Sequence, residues 1–207
     1  MEPATLLVIG VLILSIVIHE VSHGFMANWL GDPTARLAGR LTLNPISHID
    51  PIGSLALPIF LVALGSPFLI GYAKPVPYNP YNLRNQKWGE ALVAFAGPGV
   101  NLLIALIFGI ITHIATAGGA SDAFTALSQH IVYINVLLAF FNLIPIPPAD
   151  GSKVIIPFLP YRAGMAYQAL GMRLEMFGIF FLFALVFLFG APFFTFISYV
   201  TDLLTGL

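Results

Sequence analysis

Cysteine is absent from the 207-residue sequence, and charge is scarce: eight Lys and Arg with nine Asp and Glu make up 8% of the chain. An ordinary soluble domain carries roughly 25%. Without cysteine, neither a disulfide framework nor a thiolate metal site can form. So few charges cannot build the polar surface of a soluble globular enzyme. The basic face of a nucleic-acid binder is missing as well. What the chain has is apolar residues, at 58%, and a mean hydropathy of +0.94. The class that remains is an integral membrane protein. The net charge of −1 carries no information about partners.

At roughly 20 residues per crossing, the length suits about five to six spans. The first apolar run, from Ala4, continues through His19-Glu20-Val21-Ser22-His23 to Leu30, where Gly31-Asp32-Pro33 ends it. Gly followed by Pro is a helix stop signal. Further spans are expected over residues 91–117, 124–144 and 176–200. Gly97-Pro98-Gly99 predicts a kink or a close helix approach in the second of these. Phe residues all round the last run read as lipid-facing, and Gly190-Ala191-Pro192 is a candidate break in it.

The run Ser54–Tyr72 carries Pro58, Gly65 and Pro67 and is barely long enough to span. If it does not span, all eight basic residues fall on one side of the membrane. That side is the cytosol by the positive-inside rule. The segment is therefore expected to be re-entrant, with the N-terminus outside. Eight of the 16 prolines between Pro33 and Pro80, and five between Pro145 and Pro160, put the irregular backbone on the same cytosolic side. Alternation over Leu37–Leu43 suggests a short strand before Pro45. The expected fold is an all-α polytopic membrane protein forming one domain over residues 1–207. It has about five to six transmembrane or re-entrant helices, with a short β-strand or hairpin element after the first.

His19-Glu20-Val21-Ser22-His23 is an H-E-x-x-H on a predicted helix. Its two His lie four residues apart, share a face and can reach one zinc. Glu20 can serve as general base on water activated by that metal. Ionisable groups in a membrane helix are costly, so a functional role is their default reading. Two His leave a catalytic zinc one ligand short. Asp150, in Asn142-Leu143-Ile144-Pro145-Ile146-Pro147-Pro148-Ala149-Asp150-Gly151, lies on the same side. It can be that ligand or simply a turn carboxylate before Gly. His48 and Asp50 compete with it, although a structural turn suits them better. His113 and His130 read as packing residues. Trp29, Tyr72 and Trp88 suit an interfacial belt.

The three motifs together resemble the site-2 protease family of intramembrane zinc metalloproteases. They are H-E-x-x-H, Ala96-Gly97-Pro98 and Asn142-Leu143-Ile144-Pro145…Asp150-Gly151, each associated with its own helix. Gly39-Arg40-Leu41-Thr42-Leu43-Asn44-Pro45 and Ala73-Lys74-Pro75-Val76-Pro77 are similar to a small prokaryotic branch without PDZ or CBS domains. The resemblance implies a Zn2+ cofactor held by His19, His23 and Asp150, with Glu20 as catalytic acid/base. It implies that Asn142 helps hold substrate backbone or the oxyanion, and that substrates are single-pass membrane proteins in a prokaryotic cell membrane. Asn101, one helical turn after Gly97, is expected behind the ligands or in packing. Ser152-Lys153 departs from the Gly or Gly-Arg that often follows Asp-Gly in the family. The rival readings are a membrane metal transporter, a catalytically idle homologue and a zincin with a helical Glu ligand. A transporter should spread polar residues over several spans and show inverted repeats. Glu2, Glu90 and Glu175 lie in no suitable motif for the zincin.

Overall fold

The computed structural model describes residues 3–56, 59, 60, 63 and 72–207. Helix α1 is Pro3–Trp29, and α2 is the short Thr34–Leu37. A single 3-10 turn follows at Pro45–His48, a π-helical turn at Pro51–Ala56 and another 3-10 turn at Pro80–Asn82. Helix α3 is Gly89–Ala117, α4 is Asp122–Asn142, α5 is the short Gly151–Val154 and α6 is Tyr161–Thr205. Among the described residues, Thr5–Trp29, α3 and α4 are long and apolar enough to cross a membrane.

The boundaries of these three helices follow the sequence closely, because Gly31, Gly118 and the Ser121 cap sit at their ends. The Ser121 hydroxyl accepts from the Phe124 N–H. The apolar run 176–200 lies within the 45-residue α6, which continues through Pro192. The expected lipid-facing phenylalanines fall on side chains outside the described residues.

Two expectations need correction. Among the described residues three helices, not five to six, are long and apolar enough to cross a membrane. A length quotient treats the chain as all spans, whereas residues 38–44, 72–79 and 83–88 run without regular helix and α6 alone takes 45 residues. No strand or hairpin forms among the described residues after α1. Leu37 closes α2, Gly39 turns at φ +66°, and residues 40–44 run without a ladder. Alternation gives a strand only when a partner strand meets it. Here Arg40 instead sends its guanidinium to Lys74 O at 2.9 Å. The re-entrant expectation for 54–72 lies largely outside the described residues.

Helix α3 is the centre of the bundle and touches α1, α4, α5 and α6. Its buried stripe is small or polar: Ala91, Ala94, Gly97, Asn101, Ala105, Gly109 and Thr112. Spacings of three and four keep these on one face. Small residues let the helix backbones approach closely, as membrane packing requires. Leu103, Leu106, Ile107, Ile110 and Ile114 point outward and are exposed. That distribution suits a lipid solvent. Ala105, Val132, Val136 and Ile197 join α3, α4 and α6 in a fully buried cluster. Ala27, Leu83 and Val93 form a second cluster at the end where α1 stops and α3 begins.

Candidate metal centre

His19 and His23 project from α1 toward α3, both buried, with ring centroids 4.7 Å apart and planes at 87°. Asp150 comes from the tight turns between α4 and α5. Its Oδ2 lies 3.2 Å from His19 Nε2 and 3.3 Å from His23 Nε2. The Asp150 turn is held from both sides. Tyr167 of α6 donates to Pro145 O at 2.7 Å, and any side chain at Gly151 would run into the Leu143 carbonyl. Burial opposes charge on Asp150. The two imidazoles outweigh that and hold its carboxyl well below the usual carboxylate range. It is therefore an anionic donor.

One ligand atom from each of His19, His23 and Asp150 lies within 4.8 Å of the others. The far side of each ring is also engaged. His19 Nδ1 donates to Asn101 Oδ1 at 2.6 Å, and His23 Nδ1 donates to the Val93 carbonyl at 2.7 Å. With Nδ1 engaged as a donor, the Nε2 that faces Asp150 is the nitrogen left to exchange its proton for a metal. Outer partners of this kind fix the tautomer and orientation of metal-ligating His. A Cβ at Gly97 would stand 2.5 Å from His23 Nε2 and 2.6 Å from His19 Nε2. The glycine thus keeps the converging point open. Two imidazoles and a carboxylate, with no thiolate, form a donor set that fits zinc.

Glu20 is half-buried next to His19, and its Oε2 accepts from the Val76 N–H at 3.1 Å. Val76 lies in an extended segment, residues 72–79, tied down along its length. Lys74 N–H donates to His48 O, and Asn79 N–H donates to Asp32 Oδ2. Tyr78 OH donates to Glu90 and accepts from Lys153 Nζ at 3.0 Å. Lys153, the departure from the family pattern, thus fastens this segment to α5. Burial works against its charge, but Tyr78, Glu90 and Asp150 raise its pKa.

Asn142 ends α4, where its side-chain amide donates to Leu138 O at 2.9 Å. His48 donates to or accepts from no ligand of the centre; its Nε2 meets Thr42 O. Asp50 caps the π-helical turn through the Ile52 and Gly53 N–H groups. His130 Nδ1 bonds Ala126 O, and His113 packs beside Gly206. Sequence reasoning missed the roles of Val93 O, Val76 N–H and Asn135, which bonds Asn101. Two of these are backbone groups, which no residue type advertises.

The fold and this centre define a protein of apolar, membrane-type helices with a His2Asp cluster able to hold a metal beside an H-E-x-x-H glutamate. Known proteins agree. The chain is 37% identical over 155 residues to the "Putative zinc metalloprotease" YwhC of Bacillus subtilis, covering 72% of this chain and 67% of that protein. It is 32% identical over 154 residues to the similarly named Rip2 of Mycolicibacterium smegmatis, covering 74% and 58%. A third relative of that name, MJ0611 of Methanocaldococcus jannaschii, is 40% identical over 63 residues, 30% of this chain and 31% of that protein. The chain thus spans about two thirds of the Bacillus protein and less of the other two. No family model and no solved structure matches it. The chain belongs to the site-2 protease family of zinc metalloproteases.

Proposed function

We propose that the protein is a zinc-dependent intramembrane endopeptidase that cleaves peptide bonds in or near transmembrane segments of single-pass membrane proteins. The observation that carries this reading is the convergence of Asp150, from the turns after α4, on His19 and His23 beside Glu20, in a helix apolar enough to span a membrane. His19, His23 and Asp150 would hold the zinc. When bound, the ion would supply Lewis acidity, polarising a scissile carbonyl and lowering the pKa of a water.

Glu20 takes the proton of the attacking water and returns it to the leaving amine. The Val76 N–H aims one of its oxygens and leaves the other for that proton. Asn142 retains a second amide N–H, beyond the one given to Leu138 O, for the substrate backbone or the developing oxyanion. The substrate helix must open locally to offer a carbonyl, because its own hydrogen bonds occupy them. Arg36, Arg40, Lys74, Arg84, Lys87 and Lys153 lie at the end of the bundle nearest this centre. By the positive-inside rule that end faces the cytosol, which sets the N-terminus outside a prokaryotic cell membrane. Among the described residues, the candidate metal ligands gather at one point beside Glu20 rather than along several spans, which favours this reading over a metal transporter.

The test uses proteoliposomes containing a fluorogenic single-pass peptide with a central Gly-Gly pair. Wild type cleaves it and a zinc chelator stops the reaction. Glu20→Gln keeps its zinc but loses at least about 100-fold in rate. Cleavage by Glu20→Gln at the wild-type rate overturns the mechanism. Cleavage of soluble extended peptides alone, with the membrane peptide untouched, overturns the intramembrane assignment.

A further inference from the structure

Four buried polar side chains connect three helices in the apolar half of the bundle. Ser15 and His19 come from α1, Asn101 from α3 and Asn135 from α4; Asn101 and Asn135 are wholly inaccessible. They form one chain. Asn135 Nδ2 donates to Ser15 Oγ at 3.0 Å and to the Ile131 carbonyl at 2.9 Å. Asn135 Oδ1 accepts from Asn101 Nδ2 at 2.8 Å, and Asn101 Oδ1 accepts from His19 Nδ1 at 2.6 Å.

The direction of this chain is dictated at its far end. A backbone carbonyl can only accept, so the NH2 of Asn135 must face Ile131 O. Its Oδ1 then faces Asn101, which must answer with its own NH2. The Asn101 oxygen is left facing His19, so the hydrogen of that imidazole must sit on Nδ1. Nε2, on the Asp150 side, is thereby the nitrogen left to bind a metal. His23 needs no such relay, because its Nδ1 meets the Val93 carbonyl directly. Asn101 Nδ2 also reaches the Ser15 carbonyl, at the longer distance of 3.5 Å, in the same orientation. Both ligands thus take their tautomer from backbone carbonyls, His23 at first hand and His19 through the amides of Asn101 and Asn135.

We propose that Asn135 is a positioning residue for the metal centre: through Asn101 it fixes the tautomer in which His19 can bind zinc. The alternative is that Asn135 only holds α3 and α4 together, as buried amides do in membrane bundles. The same two helices carry an internal comparison. Thr112 and Ser128 form a buried hydroxyl pair at 2.6 Å, on a different part of the interface and outside the hydrogen-bond chain to His19.

The experiment uses the full chain in detergent micelles. Zinc affinity is measured against a chromophoric chelator, the visible spectrum is recorded with Co2+, and the melting of the metal-free protein is followed. Asn135→Leu removes the short acceptor that directs Asn101 and leaves it only the Ser15 carbonyl at 3.5 Å, so zinc affinity falls 10- to 100-fold and the Co2+ bands shift. Asn135→Asp, neutral in this apolar setting, offers O–H to Ile131 and C=O to Asn101. It keeps affinity within about threefold. Ser15→Ala does the same, because Ile131 still sets the direction. Ser128→Ala lowers the melting temperature and leaves zinc affinity unchanged. Asn101→Leu loses affinity, and adding Asn135→Leu to it costs nothing further.

Should Asn135→Leu not fold, Asn135→Thr serves in its place, since its hydroxyl satisfies Ile131 O but is too short to reach Asn101. Wild-type zinc affinity in a folded Leu or Thr variant overturns the proposal. So does a loss in Ser128→Ala equal to that in Asn135→Leu, or a tenfold loss in folded Asn135→Asp. The inference rests on the zinc reading above; a wild type that binds no zinc sinks that reading, whereas these outcomes sink only this one.

Discussion

Replacing Gly97 with alanine tests the metal centre most directly. The added carbon would lie 2.5 Å from His23 Nε2, 2.6 Å from His19 Nε2 and 2.6 Å from His23 Cε1. Comfortable contacts to carbon are about 3.5–4.0 Å, so each ring is overlapped by roughly 1 Å. Zinc sits about 2.0–2.1 Å from imidazole nitrogen. The methyl therefore enters the same space, at nearly the same distances from both ligand atoms. The rings cannot simply turn away, because Asn101 and Val93 O hold them from behind. Overpacking of this kind costs about 1–3 kcal/mol, which the fold can survive.

The expected protein is folded, melts a few degrees below wild type without metal, and binds zinc at least about 100-fold more weakly. Wild type gains about 4 kcal/mol when free zinc is a thousandfold above its dissociation constant, and the variant gains almost none. Zinc content by mass spectrometry after dialysis, and melting with and without zinc, read both effects. Gly10→Ala is the control, since nothing lies within 4 Å of that position. One zinc per chain in Gly97→Ala, with an undiminished zinc-induced rise in melting temperature, would refute the placement of the metal between these residues.

Two predictions concern the segment that holds Glu20. Asp32 is fully buried and accepts from Thr34 Oγ1 at 2.6 Å, Asn82 Nδ2 at 2.8 Å and Asn79 N at 2.7 Å. Burial opposes its charge, but these bonds outweigh that and lower its pKa below the ordinary value. Its contribution is therefore complete above the unfolded pKa of about 3.9 and is lost as pH falls through the lower folded value. Asp32→Asn should cost roughly 2–3 kcal/mol at neutral pH by turning an amide NH2 toward N–H donors. Its melting temperature should then fall less steeply than wild type between pH 5 and pH 3; parallel curves would count against the assignment. Lys153→Met leaves Tyr78 with only its Glu90 bond, so hydrogen exchange at residues 74–79 should quicken about tenfold while zinc affinity holds. Unchanged exchange there would show that Lys153 does not fasten the segment.

Much of the centre was legible in the sequence for a local reason. On a helix, spacing alone puts His19 and His23 on one face, and that holds whatever packs against it. Helix ends were legible because Gly31, Gly118 and Ser121 act within a turn of where they stand. Scarcity of charge helped too: with nine acids in the chain, Asp150 stood out. The strand over Leu37–Leu43 was misread for the converse reason. Alternation is local, but a strand exists only through a partner, and Arg40 and Gly39 commit that stretch elsewhere. Length could not set the number of spans, because it says nothing about how residues divide between crossing and loop.

The chemistry of the ligands was thus written in residue types and short spacings, which the sequence determines by itself. Their working state was not. The tautomer of His19 depends on Asn101 and Asn135, 82 and 116 residues away, and finally on the carbonyl of Ile131. The tautomer of His23 depends on the carbonyl of Val93, and the aim of Glu20 on the N–H of Val76. Every residue except proline carries both of these backbone groups, so no sequence signal marks the one that will be used. Only the close packing of α1, α3 and α4, made possible by a stripe of small residues, brings a particular carbonyl within 3 Å of a particular ring.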